Sequence, residues 1–288
     1  MSEKTSTRGF WLPLFALLVS VVVLVLVLDA FVGNPPAETA IQVQAVAGEG
    51  TIVLGDRRQL NAVAGQNLLP GVELHTASGG RVALFWAGFD VRLDENTRVT
   101  LNNDHIELAS GQLYVSNRDR RITRRRVVIK TPQALISDTG TQFKVRFEAG
   151  RTRASVRQGS IVVKTPVAEH RVDAADAKPA TVVISPGSTV QPLAEESDWT
   201  WIYAVARPFK TEGSTVFHLL RWSTNESGRT LVFADDNVGV AARNARFDKS
   251  FTVDARDPDS AVVDALATTR FQAQRQNDGS LLVSLRGS

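Results

Sequence analysis

The segment "LISDTGTQF", Leu135 to Phe143, sets a carboxylate at Asp138 and hydroxyls at Thr139 and Thr141 around Gly140. One chemistry open to such a step is peptide hydrolysis, in which an aspartic protease activates water with two carboxylates that share a proton across a symmetric cleft. Asp-Thr-Gly occurs once in the 288 residues, and Ser137 stands before it where an apolar side chain is usual. The second carboxylate would have to come from another copy of the chain. A protease is therefore not expected, and Asp138 to Gly140 reads as a turn leading into a strand from Thr141 to Phe147.

Other chemistries are narrowed by composition. The absence of cysteine excludes disulfides, thiolate metal sites and a thiol nucleophile. His75, His105, His170 and His218 lack ligand spacing, and no glycine-rich phosphate loop or Gly-x-Ser-x-Gly elbow occurs, so no cofactor or metal is implied. Formal charge is +3, yet "RDRRITRRRVVIK", Arg118 to Lys130, holds seven basic residues against one acid, which leaves the rest of the chain net acidic. Arg124, Arg125 and Arg126 within this run either meet an acidic partner, such as a headgroup, an anionic polymer or a protein, or belong to a solvated loop. Trp199, Trp201 and Tyr203 alternate and would share one face of an extended segment. That face either contacts a partner or packs two modules together.

The elements that must position these residues begin with a charge-free run of 19 residues, Phe10 to Leu28. As a helix it would reach about 28 Å, close to the hydrocarbon thickness of a bilayer. It exceeds a signal peptide's apolar region and lacks a small-x-small cleavage site, so an uncleaved anchor over residues 10–32 is expected. Lys4 and Arg8 precede it while Asp29 and Glu38 follow, which keeps residues 1–9 in the cytoplasm and exports the rest. A tail of nine residues cannot bury a core, so any message sent inward needs a separate effector. Outside the cytoplasm a nucleic-acid partner is not expected.

Residues 33–47, opening "GNPPAET", read as a spacer. Residues 48–192 carry short alternating strands separated by glycine and asparagine turns, for example Val82 and Leu84, Val91 and Leu93, Leu113 and Val115. Within them Thr97, Val99, Leu101, Gly111 and Leu113 align with Thr141, Phe143, Val145, Gly159 and Ile161, a weak internal duplication. Such repeated units suggest a β-solenoid or a rolled sheet. Residues 193–213 form an aromatic linker. Residues 214–288 read as a small α+β module: a helix stopped by Gly228, the strand "TLVFA", a polar stretch, a helix capped by Asp257 with Pro258 first, and a hairpin turning at Asn277 to Gly279. The expected class is mainly β.

The segment "GQNLLPGVELHTASGGRVALFWAGFDVRLDENTRVTL", with "ELASGQLYV", "VVIKTPQALISDTGTQFKV" and "ASVRQGSIVV" following in order, resembles the FecR family of bacterial periplasmic signalling domains. The C-terminal "HLLRWSTNESGRTLVFAD" and the helix and hairpin after it are similar to the short N-terminal (STN) domain of secretins and TonB-dependent receptors. The resemblance implies a protein that spans the bacterial inner membrane once and relays a periplasmic event, often contact with a TonB-dependent receptor, to an extracytoplasmic-function sigma factor. The chain departs from that pattern in its nine-residue cytoplasmic tail, so a sigma factor or anti-sigma protein would be reached through a membrane partner. The alternative is a tethered periplasmic scaffold that binds an envelope polymer or protein assembly. Gly140-Thr141 also matches the family's Gly-Thr-x-Phe step, at which some members cut themselves. There the Thr141 hydroxyl would attack the Gly140 carbonyl, and water would hydrolyse the resulting ester. No other enzymatic activity is expected.

Overall fold

The computed structural model describes residues 41–55, 57–117, 126–138, 140–174, 179–186, 190–193 and 198–287. The expected anchor over 10–32, the tail before it, Arg124 and Arg125 lie outside them. No helix among the described residues is long and apolar enough to cross a membrane.

Alternation of apolar and polar side chains sets most of the first part. In chain order its strands are β1 (Ile41–Ala47), β2 (Gly50–Val53), β3 (Gln59–Asn61), β4 (Asn67–Leu68), β5 (Val72–Thr76), β6 (Arg81–Trp86), β7 (Phe89–Leu93), β8 (Arg98–Leu101) and β9 (Ile106–Ser116). There follow β10 (Val128–Lys130), β11 (Leu135–Asp138), β12 (Gln142–Glu148), β13 (Arg151–Gln158), β14 (Ser160–Lys164), β15 (Glu169–Asp173), β16 (Ala180–Ile184) and β17 (Val190–Leu193). They make two sheets. The first runs β4-β1-β6-β7-β9-β12-β13-β16-β17, antiparallel throughout. The second runs β3-β2-β5-β8-β9-β10-β11-β14-β15, with β9 and β10 parallel.

Strand β9 belongs to both sheets: Ile106 to Ser110 pair with β8, and Leu113 to Ser116 pair with β7. This is the rolled-sheet alternative. The parallel coils of a β-solenoid are not present among the described strands. Both sheets feed one apolar core, in which Leu74, Val99 and Ile161 of the second meet Leu84, Val91 and Phe143 of the first, all with no exposed surface. Sheet-to-sheet burial of this kind is the main favourable term for a β domain.

The internal duplication is visible as two corners of the same build. Gly111 and Gly159 have φ of +86° and +81°. A Cβ on Gly111 would lie 2.4 Å from Thr97 Oγ1, and one on Gly159 would lie 2.8 Å from Thr141 Cγ2. Each threonine follows a residue in the left-handed region, Asn96 at +54° and Gly140 at +98°. Chain direction changes sharply at both places, and only glycine lets the crossing strand come so close.

The expected spacer of 33–47 gives way at Ile41, because Ile41 and Val43 bury one face of β1 against β6. The aromatic linker is also not extended. Thr200–Val205 is a turn of 3-10 helix, so Trp199, Trp201 and Tyr203 do not share a strand face. The C-terminal module starts within that linker, with β18 (Phe209–Lys210), and continues as α1 (Val216–Ser227), β19 (Leu231–Phe233), α2 (Asp236–Asn244), β20 (Thr252–Val253), α3 (Pro258–Leu266), β21 (Phe271–Arg275) and β22 (Leu281–Leu285). Thr215 and His218 form a capping box at the start of α1, and Gly228, at φ +73°, ends it. Asp257 caps α3 by accepting from the Ser260 N–H at 3.1 Å. Helix α2 occupies the expected polar stretch. Its Asp235 cap accepts from the Val238 N–H at 3.0 Å, and Val238 and Ala242, at i, i+4 spacing, are its buried apolar side chains, with Ala241 partly buried beside them. Leu219, Leu220, Val262, Phe271 and Val283 complete a separate core.

The corner geometry predicts the outcome of two substitutions at glycines of nearly equal φ. Gly65, at +87°, has open space around it, so Gly65→Ala should cost only the backbone strain, about 1–2 kcal/mol. Gly111→Ala adds the collision with Thr97 and should cost about 3 kcal/mol or more, read as the shift in urea midpoint.

Candidate functional site

The middle strands of the first sheet are covered on both faces. Toward the core they send Val91, Leu93, Val115, Phe143, Val145 and Val156, and toward the other side Arg92, Tyr114, Gln142, Lys144 and Arg157, which are buried as well. Their cover is the linker and α1. A sheet face that looks polar in the sequence is thus an intramolecular contact, and its polar groups must find partners there.

Arg157 is the centre of that contact. Its guanidinium donates to Gln142 Oε1 at 2.8 Å, to Tyr114 Oη at 3.0 Å, and to the carbonyl oxygens of Glu226 at 2.8 Å and Asn225 at 3.3 Å. Those carbonyls end α1, where the helix presents its partial negative charge, so the cation caps it. The Tyr114 and Trp199 rings flank the guanidinium, with centroids 5.2 and 5.1 Å away. Gly228 follows directly. A Cβ there would stand 2.8 Å from Arg157 Cδ, so its backbone conformation and the close approach both require glycine.

Beside it, Arg92 bridges the Asp90 and Glu226 carboxylates, each at 2.8 Å, and donates to the Ile202 carbonyl at 2.9 Å. Burial alone would lower the Arg92 pKa, but Asp90 and Glu226 outweigh it and hold the guanidinium charged. Arg92 and Arg157 balance Asp90 and Glu226 in charge, and balance of this kind makes burial of four ions tolerable. Lys144 lies 4.7 Å over the Trp199 ring and donates to the Asp198 carbonyl; burial pushes its pKa down to about 8.

The Gly140-Thr141 step adjoins this cluster. Gln142, the next residue, donates to the Asn225 carbonyl at 2.9 Å while receiving Arg157. Asp138 and Thr141 are buried, at the turn where the chain leaves the second sheet for the first. Asp138 Oδ1 accepts from the Gly140 N–H at 2.5 Å and, in a short hydrogen bond, from the Thr141 hydroxyl. The duplicated corner is wired differently. There the Thr97 hydroxyl donates to the Gln112 carbonyl at 3.0 Å and receives the Gln112 N–H at 2.9 Å, while the Asp94 carboxylate holds Arg81 at 2.9 Å. Only the second corner pairs a carboxylate with its threonine hydroxyl. The arrangement places a proton acceptor on a hydroxyl next to a glycine carbonyl, the grouping an N-to-O acyl shift needs.

Of the residues singled out by sequence, Trp199, Trp201 and Tyr203 pack within the molecule around Tyr114, and Arg126 is exposed. Arg92, Gln142, Arg157 and Glu226 were not singled out. The available signal was an arginine next to a core-facing valine in each of two strands, "DVRL" and "ASVRQG".

The charge balance makes a prediction. Glu226→Ala leaves Arg92 buried with one carboxylate fewer and should destabilise by about 3–5 kcal/mol. Glu148→Ala, which removes an exposed partner of Arg146, should cost less than about 1 kcal/mol in the same denaturation experiment.

Comparison with known proteins yields one family, and no curated protein matches the chain. Two crystal structures, each described as a candidate anti-sigma factor from Parabacteroides distasonis ATCC 8503, are similar at low identity. One has 14% identity and a TM-score of 0.39, covering 75% of this chain and 99% of that one. The other has 16% identity and a TM-score of 0.31, covering 86% and 99%. The model described as FecR protein matches residues 73–162, the stretch that holds Arg92, Asp138, Thr141 and Arg157. Residues 73–162 are therefore a FecR-family domain, and the seam with α1 is built on its outer face.

Proposed function

We propose that this chain is a single-pass inner-membrane relay that carries a periplasmic signal toward extracytoplasmic-function sigma-factor control, acting through a separate cytoplasmic effector. The observation that carries this reading is a FecR domain whose outer face is closed by a second module through buried charges. Such a seam lets a partner that engages one module bias the other. In this reading the anchor lies at residues 10–32 and the module from Phe209 onward is an STN-like domain that faces a receptor's signalling domain. In this reading the sigma factor or anti-sigma protein is reached through a membrane partner.

The reading also takes Gly140-Thr141 as a processing step. Thr141 Oγ1 attacks the Gly140 carbonyl carbon as Asp138 takes its proton. The Thr141 nitrogen leaves as an amine, protonated in turn, and water hydrolyses the ester to a Gly140 carboxylate and a restored hydroxyl. What supports this is the Asp138 contact with the Thr141 hydroxyl, which the duplicated corner lacks. Pairing of β12 with β9 and of β11 with β14 would keep the two fragments together after the cut.

Two experiments follow. The full-length chain, tagged at its C-terminus and purified from detergent-solubilised membranes, should bring down a sigma factor or a membrane protein with a cytoplasmic sigma-binding domain. Recovery of periplasmic or outer-membrane components alone would instead mark a scaffold. On a denaturing gel, membranes should contain two fragments split near the middle of the chain that co-purify under native conditions, and Thr141→Ala should leave one intact band. A single band in both proteins would remove the processing step.

A further inference from the structure

Three of the nine exposed large apolar side chains among the described residues fall within ten positions: Leu60, Val63 and Leu69, at 46%, 60% and 77% exposure. They lie on and between β3 and β4, each of which has a single strand partner among the described residues and so forms a sheet edge there. Arg57 and Arg58, also exposed, turn the chain into β3. An unpaired edge that displays aliphatic side chains is a liability unless something covers it.

What covers it is suggested by where the described chain starts. Leu68 pairs with Ile41, the Val43 N–H donates to the Gln66 carbonyl at 2.8 Å, and the Gly65 N–H donates to the Val43 carbonyl at 2.8 Å. The β4 end of this stretch, next to Leu69, thus flanks the first residues of β1, about 5 Å away across one strand spacing. Residues 33–40 join that point to the expected anchor, and eight residues span at most about 28 Å when fully extended. We propose that the edge formed by β3, β4 and their loop rests on the surface of the membrane that anchors the chain, with Leu60, Val63 and Leu69 entering the headgroup boundary and Arg57 and Arg58 meeting anionic headgroups. This rests on the anchor in the proposed function and adds a second, reversible contact to it.

The chemistry fits an interface rather than the hydrocarbon. The free edge of β3 carries backbone N–H and C=O groups that need water or headgroups, so the strand stays at headgroup depth while its aliphatic side chains dip further. The stretch from Gly55 to Gly71 holds two arginines and one acid, Asp56, so its charge suits an anionic leaflet. A contact beside the anchor would also limit how freely the FecR domain turns above the bilayer.

The lack of native cysteine makes the test direct. Full-length chains carrying Leu69→Cys, Val63→Cys or Val167→Cys are labelled with an environment-sensitive fluorophore and assembled into nanodiscs of phosphatidylcholine and phosphatidylglycerol, with or without brominated acyl chains. Val167, 74% exposed in the turn between β14 and β15, is the control. Labels at 63 and 69 should shift to the blue and lose at least about half their intensity to brominated lipid, with little change at 167. Equal quenching at 69 and 167 would overturn the proposal. So would spin labels at 69 that couple between two copies without lipid contact, which would make the edge a self-association surface. A chain that never enters the nanodisc would overturn the anchor, and with it this proposal.

Discussion

Four charges buried between the FecR domain and α1 must balance, and much of the architecture follows from that constraint. Arg157 needs a helix end to cap, so α1 stops at Gly228 and its last carbonyls point at the sheet. Arg92 needs two carboxylates, so Asp90 on the same strand and Glu226 on α1 must arrive together. Tyr114 and Trp199 supply the aromatic faces that shield Arg157, and the Tyr114 hydroxyl also accepts one of its hydrogen bonds. The seam is imperfect. Arg92 Nε and the indole nitrogens of Trp199 and Trp201 are buried without a hydrogen-bond partner among the described residues, at a cost of about 1–3 kcal/mol each where none is supplied.

The same face explains why the two duplicated corners diverged. At Thr97 the hydroxyl is tied to the Gln112 backbone and Asp94 is occupied with Arg81, so that corner is structural. At Thr141 the hydroxyl meets Asp138, and the next side chain, Gln142, reaches the Asn225 carbonyl of α1. A cut at Gly140-Thr141 would free the backbone directly beside the seam. Gln142 is thus the residue through which the proposed cut would touch the contact with α1.

Much of this was legible in the sequence. Alternation located the core-facing residues of most strands, Gly228 and the Asp257-Pro258 pair marked helix ends, and the aligned threonines and glycines marked equivalent corners. The misses have physical causes. Helix α2 was hidden because its core face is made of small residues, Gly239, Ala241 and Ala242, with Val238 as its single large buried side chain. Strand β1 follows a proline-rich stretch and interleaves its buried residues with Gln42 and Gln44, which weakens its apolar signal. The linker's alternation from Trp199 to Tyr203 mimics a strand, although the segment coils as a 3-10 helix against the sheet. Arg92 and Arg157 occupy positions that alternation assigns to solvent. Their burial depends on Glu226 and on carbonyls far along the chain, which no local pattern reports.

The account stands on the seam holding the FecR domain and the C-terminal module in one arrangement. The most direct measurement is a pulsed dipolar distance in the full-length, otherwise cysteine-free chain, between spin labels at Arg151, the first residue of β13, and Gln272, on β21, both exposed. The account predicts one narrow distance distribution in the resting protein. A broad or multiply peaked distribution would mean that the buried charges do not hold the two modules together, and would contradict it.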